Sequence, residues 1–213
     1  NFCSTPREGA KMFQADRSRN LAKVVVCSFA VAAAVRDGAG KSMQDGLGKV
    51  KVNNFYYEGQ ILEDTAYGMG ELYWADGKGL ILMGQHVEGM AHGKVIAYWG
   101  NGNVKYVGQL KENAWHGGGT LYWESGHVYY KGQFKQGEEH GLGMLYGESG
   151  ELAYEGQFKE GMKDGTGKLY SETGRAIRKG HQKLMLAYAG EFCGGVPHGL
   201  GDMYGECGEL MYK

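Results

Sequence analysis

Three groups of residues in this chain of 213 have types and spacings that invite a chemical reading. Gly40-Lys41-Ser42, after the apolar run Val24 to Val35, resembles the end of a phosphate-binding loop, where backbone N–H groups and a lysine cradle phosphates. Such a loop needs a glycine five places before Gly40, but Val35 stands there. A helix should follow, and MQDGLGKV instead continues with glycines and strand formers. The string DGxGK recurs at Asp45–Lys49 and Asp164–Lys168, so repetition explains it without a nucleotide. His92, His116, His140 and His198 form the second group, a column that suggests a metal ladder. Two strands separate neighbours, about 10 Å, whereas zinc ligands lie about 2 Å from the ion. The column therefore reads as turn histidines bonding backbone groups. The third group is carboxylates: Glu138-Glu139 and Glu71 read as solvated turn or strand-edge charges, with no acid–base pairing to exploit. No serine sits in a GxSxG elbow, and neither Cys193 nor Cys207 has an assembled base. No catalytic, cofactor-binding or metal-binding residue is assigned, and the chain is not expected to be an enzyme.

Every one of these residues sits in a column of a repeat or in a turn. Gly59, Gly84, Gly108, Gly132, Gly156 and Gly190 are each followed nine places on by another glycine, from Gly68 to Gly199. Five further on stands a tyrosine: Tyr73, Tyr98, Tyr122, Tyr146, Tyr170 or Tyr204. A third glycine closes the unit four places later, and copies follow at steps of 25, 24, 24, 24 and 34 residues. A period of this size marks units that bury their apolar faces against neighbours.

The unit Tyr130 to Ala153 shows how a repeat must fold. Tyr130, Gly132 and Phe134 alternate with Lys131, Gln133 and Lys135, the periodicity of a strand with one apolar face. Turn residues fill Gln136 to Gly141, Met144 to Tyr146 form a second short strand, and Gly147 to Gly150 make the turn into the next copy. Each repeat is thus a β-hairpin. Gly132 and Gly143 remove side chains where an aromatic of a neighbouring hairpin must lie flat, and the turn glycines supply positive φ. Tyr57, Tyr106, Tyr130, Tyr154 and Tyr188, with Phe134, Phe158 and Phe192, are the expected core.

The pattern YxGxF…HGxG…LY…G resembles the MORN repeat (membrane occupation and recognition nexus). It is carried best by Tyr130-Lys131-Gly132-Gln133-Phe134 with His140-Gly141-Leu142-Gly143, and by Tyr188-Ala189-Gly190-Glu191-Phe192 with His198-Gly199-Leu200-Gly201. Tyr154 to Phe158 with Asp164-Gly165-Thr166-Gly167 is close behind. Departures are Leu82 for tyrosine and Val95 for glycine in the second copy, Tyr67 for histidine in the first, and ten extra residues in the fifth. Asp37-Gly38-Ala39-Gly40 and Asp45-Gly46-Leu47-Gly48 look like degenerate second-strand entries, and Glu209 to Tyr212 starts a further strand. The expected architecture is all-β, an elongated single-layer meander of tandem hairpins. It comprises an N-terminal extension (1–36) and an array (37–213) with six clear repeats from about 57 and an insertion at 175–187.

Composition bounds the function. Lys plus Arg number 23 against 24 for Asp plus Glu, a formal charge of −1, which leaves no footprint for nucleic acid. Four cysteines without CxxC spacing indicate neither a zinc cluster nor a disulfide scaffold, and a reducing compartment is the default. The run Val24–Val35 is too short to cross a bilayer as a helix and, with Arg17, Arg19 and Lys23 before it, resembles a signal-type segment. The start at Asn1 suggests a processed or incomplete N-terminus. A single sheet cannot cover both its faces, so one aromatic stripe, Tyr122, Tyr146 and Tyr170, is expected to stay partly exposed for a partner. The insertion gathers Arg175, Arg178, Lys179 and Lys183, a candidate dock for an acidic partner or an anionic lipid. The resemblance implies a scaffold bridging protein subunits of a larger assembly, in a cytoplasmic setting that is cytoskeletal, ciliary or membrane-associated. It leaves open an anionic-phospholipid-binding recruitment module, the regulatory repeats of a longer enzyme, or a subunit of an organellar membrane complex.

Overall fold

The computed structural model describes residues 46–52, 54–77, 79–171, 185–205 and 208–213. They form fourteen strands and no helix. The first seven are β1 (Gly46–Val52), β2 (Phe55–Leu62), β3 (Thr65–Trp74), β4 (Leu80–Val87), β5 (Met90–Tyr98), β6 (Val104–Lys111) and β7 (Ala114–Tyr122). The rest are β8 (Val128–Lys135), β9 (Glu138–Tyr146), β10 (Leu152–Lys159), β11 (Met162–Ser171), β12 (Met185–Cys193), β13 (Val196–Tyr204) and β14 (Leu210–Tyr212). All lie in one antiparallel sheet whose spatial order is the sequence order. β1, the degenerate copy at Gly46, occupies the place of a second strand beside β2. The extension 1–36, with Val24–Val35, and Gly40-Lys41-Ser42 lie outside the described residues, as does the basic insertion.

Hairpin tips differ from the expected position. In the unit of β8 and β9 the turn is only Gln136-Gly137, both with positive φ (53° and 87°). This is the two-residue type I′ geometry that matches strand twist. β9 consequently starts at Glu138 rather than Met144, and His140 lies inside a strand rather than in a turn. The same correction applies to His92, His116 and His198, in β5, β7 and β13. From the second hairpin on, each tip is strapped backward: Gly137 N donates to the Trp115 carbonyl of the preceding repeat at 2.9 Å, and Gly161 N to that of Glu139 at 3.1 Å.

One row of glycines crosses the sheet and explains the core. Gly132 pairs with Gly143, which pairs with Gly156, which pairs with Gly167. A Cβ added at Gly143 would lie 2.5 Å from carbons of the Tyr130 ring, so that ring rests on bare backbone. The ring belongs to the glycine's own hairpin, not to a neighbouring one. Tyr130 is fully buried, and its O–H donates to the Gln133 carbonyl at 3.0 Å. The same bond recurs from Tyr57, Tyr106, Tyr154 and Tyr188. Three of these tyrosines meet a phenylalanine of the next repeat edge-on: Tyr106 with Phe134 at 5.5 Å, Tyr130 with Phe158 at 5.1 Å, Tyr154 with Phe192 at 5.0 Å. The result is an aromatic ladder on one face, unbroken from Tyr106 to Phe192, as expected for these residues.

The second copy departs from the pattern in a compensated way. Leu82 replaces the ring, and Val95, in place of the glycine beneath it, fills the vacated volume; both are buried. His86 stands in the phenylalanine column, packed edge-on against Tyr57 at 5.1 Å, with burial lowering its pKa. The buried core continues through this copy, with Leu82 and Leu110 standing where the ladder elsewhere has rings.

Two further expectations change. Glu138 is exposed, but Glu139 is not solvated: it faces Phe134 across the hairpin, and burial pushes its pKa up to about 6. Because its ordinary value is 4.5, folding shifts this carboxyl towards its protonated form. Its unfavourable contribution is absent below pH 4.5 and complete above pH 6, amounting to about 1–2 kcal/mol. Glu139→Gln is therefore expected to stabilise the protein by about that amount at pH 7.5 and by almost nothing at pH 4. Urea titrations at the two pH values read this directly; an equal effect at both would contradict the burial argument. Cys193 is disulfide-bonded, contrary to the expectation of no disulfide. The other three cysteines, Cys3, Cys27 and Cys207, lie outside the described residues.

Candidate partner-binding face

Strand alternation places Tyr122, Tyr146 and Tyr170 on the face opposite the ladder, each one residue beyond a leucine of the ladder side. All three are half-buried, and Tyr73, Tyr98 and Tyr204 continue the column. Neighbours on the same face hold several of them. The Tyr170 O–H donates to Glu155 Oε1 at 2.8 Å, and that of Tyr146 to Met144 Sδ at 3.4 Å. Tyr73 donates to Glu71. Burial, helped by Glu155, pushes the Tyr170 pKa up to about 12. Hydrogen bonds from Tyr170 and then Lys168 hold the Glu155 carboxyl below its ordinary range. The Tyr73 and Tyr170 phenols therefore stay neutral and serve as fixed donors with an apolar body, a combination suited to interfaces.

A column that the sequence reading passed over turns out to shape this face. Gln157 Oε1 accepts from Thr166 N at 2.8 Å, Gln60 Oε1 from Met69 N at 3.1 Å and Gln85 Oε1 from Lys94 N at 3.4 Å. Each donating amide follows a glycine in the left-handed region, such as Gly165 at +93°. There the register slips by a bulge, leaving an N–H without a ladder partner. The glutamine side chain supplies that partner. The GQ pair of the first five copies, Gly190-Glu191 in the sixth, was visible, but an outward polar residue reads as solvated until the bulge is known.

Between these columns the outer face carries exposed apolar side chains, among them Met69, Met144, Leu142 and Leu200. Leu47, Lys49, Glu58, Met69, Glu71 and Met83 line a shallow trough of about 490 Å³ across β1–β4. Lys49 pairs with Glu58 at 3.0 Å. Near the inter-repeat turns Lys105 is buried with Nζ 4.0 Å over the Trp99 ring. Burial pulls its pKa down to about 8, against the attraction of Glu124. Among the described residues no group of three or more His, Cys, Asp or Glu side chains could hold a metal ion. Arg175, Arg178, Lys179 and Lys183 lie outside the described residues, so the structure neither joins them to this face nor separates them from it.

The chain was compared with known proteins. No curated protein matches it. The family model for the MORN repeat matches residues 57–79, 106–128, 130–151, 154–174 and 188–206, together just over half of the chain. The second copy, with Leu82 and Val95 in place of the tyrosine–glycine pair, lies between the first two matched segments. Matched segments and hairpins coincide, and the ring-on-glycine contact repeats through them: the chain belongs to the MORN-repeat family.

Proposed function

We propose that this chain is a non-catalytic scaffold, an array of MORN hairpins that holds protein subunits of a larger assembly together. MORN repeats are in general protein- or lipid-interaction modules, and the family is typically non-catalytic. The observation that carries the reading is the division of labour between faces. One face is consumed by the aromatic ladder, and the other presents tyrosines and exposed apolar side chains along the array. Exposed apolar surface rimmed by charge favours association. A cytoskeletal, ciliary or membrane-associated setting belongs to the same proposal.

Cross-linking with mass spectrometry in native extract tests it. Cross-links to at least two different proteins, from lysines on different repeats, are the expected result. Tyr122→Ser, Tyr146→Ser and Tyr170→Ser should each weaken at least one of these associations about tenfold or more. Flotation with anionic vesicles separates the lipid-recruitment alternative. A chain that floats with vesicles and cross-links to no protein would overturn the scaffold reading.

A further inference from the structure

The repeat supplies its own control for what the outer face requires. Beside the glycine row runs a second row, one residue further along in one strand and one residue back in the next, facing outward. Lys49, Glu58 and Glu71 stand opposite one another across β1–β3. Met83, Ile96 and Val107 continue the row across β4–β6. Thr120 and Lys131 follow on β7 and β8. Further along, the same row carries Met144, Glu155, Lys168, Ala189 and Asp202. The fold thus accepts charge at this position in most strands, and nothing in the hairpin calls for three consecutive apolar residues there. Val107 is 40% exposed, and Met83 and Ile96 are half-buried on the solvent side. Tyr98 borders them, its O–H on Met83 Sδ at 3.3 Å.

Charge at the ends of this apolar stretch is uneven. Glu58 and Glu71 face each other directly, a like-charge pairing that disfavours the sheet. Among the described residues Lys49 answers Glu58, and the Tyr73 O–H donates to Glu71. At the other end stands Lys131. From Glu58 to Lys131 there are six strand spacings, about 29 Å at roughly 4.8 Å each. A twist of roughly 20° per strand turns the row by about 120° over that distance, so a straight helical rod cannot follow it. An extended segment of about nine residues can, since alternate side chains on one side recur about every 6.8 Å.

We propose that this row docks an extended segment of a partner protein with Lys or Arg at one end, apolar residues in the middle and Asp or Glu at the other. The basic end lies over Glu58 and Glu71, the apolar residues over Met83, Ile96 and Val107, and the acidic end by Lys131. The assignment deepens the scaffold reading and rests on it.

The probe is a fluorescein-labelled nine-residue peptide with Arg at positions 1 and 3, Leu at 5 and 7, Asp at 9 and Ser between. It is titrated with the full chain by anisotropy. Saturable binding is expected, weaker at 500 mM than at 50 mM salt because the end contacts are screened. Ile96→Lys should weaken it at least tenfold and Glu71→Gln about threefold or more. Ile96→Lys copies what Lys131 and Lys168 already are in this row, so the fold should tolerate it; unchanged circular dichroism and melting temperature confirm that. A peptide with the charges reversed should bind at least tenfold more weakly. Equal binding of both peptides, or binding indifferent to Ile96→Lys, overturns the proposal. Sedimentation showing self-association that Ile96→Lys abolishes overturns it too, and gives the row to a second copy. Loss of the probe result with protein cross-links intact sinks this row alone; loss of the cross-links sinks the scaffold reading.

Discussion

Gly143→Val is expected to destabilise the protein by about 3 kcal/mol or more, at the upper end of overpacking costs. The backbone at Gly143 is that of an ordinary strand, and valine is a good strand former, so the cost is steric alone. The new Cβ would overlap the Tyr130 ring, which is closed in by Phe134 and Phe158 and cannot retreat. Tyr130→Leu alone should also destabilise, because it removes the ring and its bond to the Gln133 carbonyl. Combining the two should be far milder than the sum, with a coupling of about 2 kcal/mol or more. The second repeat already carries that combination, Leu82 over Val95, fully packed. Denaturant unfolding of the two singles and the double closes the cycle. Additive effects would mean that the ring and the glycine are not one unit.

Phe158→Ala should be the second large effect, about 3–5 kcal/mol, the usual range for a buried phenylalanine. Its ring lies edge-on to Tyr130 of the preceding repeat at 5.1 Å and to Tyr154 of its own at 5.1 Å. Removing it cuts the ladder at one interface while leaving both neighbours' hairpins whole. In an array stabilised by nearest-neighbour terms, weakening one interface should split unfolding into two phases. Hydrogen exchange should assign one phase to the repeats before β10 and the other to those after it. A single cooperative transition, merely shifted, would show that coupling runs through the backbone ladder and not through the rings.

The sequence made the strands, their order and the ladder legible because ring and glycine recur at fixed offsets, as in Tyr130, Gly132 and Gly143. It did not reveal which hairpin owned each ring, because a period alone cannot distinguish contacts within a unit from contacts between units. The tips were misplaced for a related reason. Gly137 and Gly141 are only four apart, and both adopt positive φ, one in a turn and one in a bulge. Only the register tells them apart. Glu139 reads as a surface charge beside Glu138, although the residues aligned with it include the buried Ala66, Ala91 and Trp115. As for the candidate face, Tyr122, Tyr146 and Tyr170 could be named, but their side of the sheet followed only once the bulge was placed. The apolar row of Met83, Ile96 and Val107 was invisible, since its members align only through cross-strand pairing.

The identity of sequence order and spatial order has a kinetic meaning. No strand waits for a partner made much later in synthesis, since each of β2 to β13 pairs with the strand just before it and the one just after. Loop-closure entropy therefore stays small at every step, and topologies of low contact order fold fast. A chain leaving the ribosome can add one hairpin at a time to a sheet already formed. The tip contact from Gly137 back to Trp115 then ties the new hairpin to the one before it.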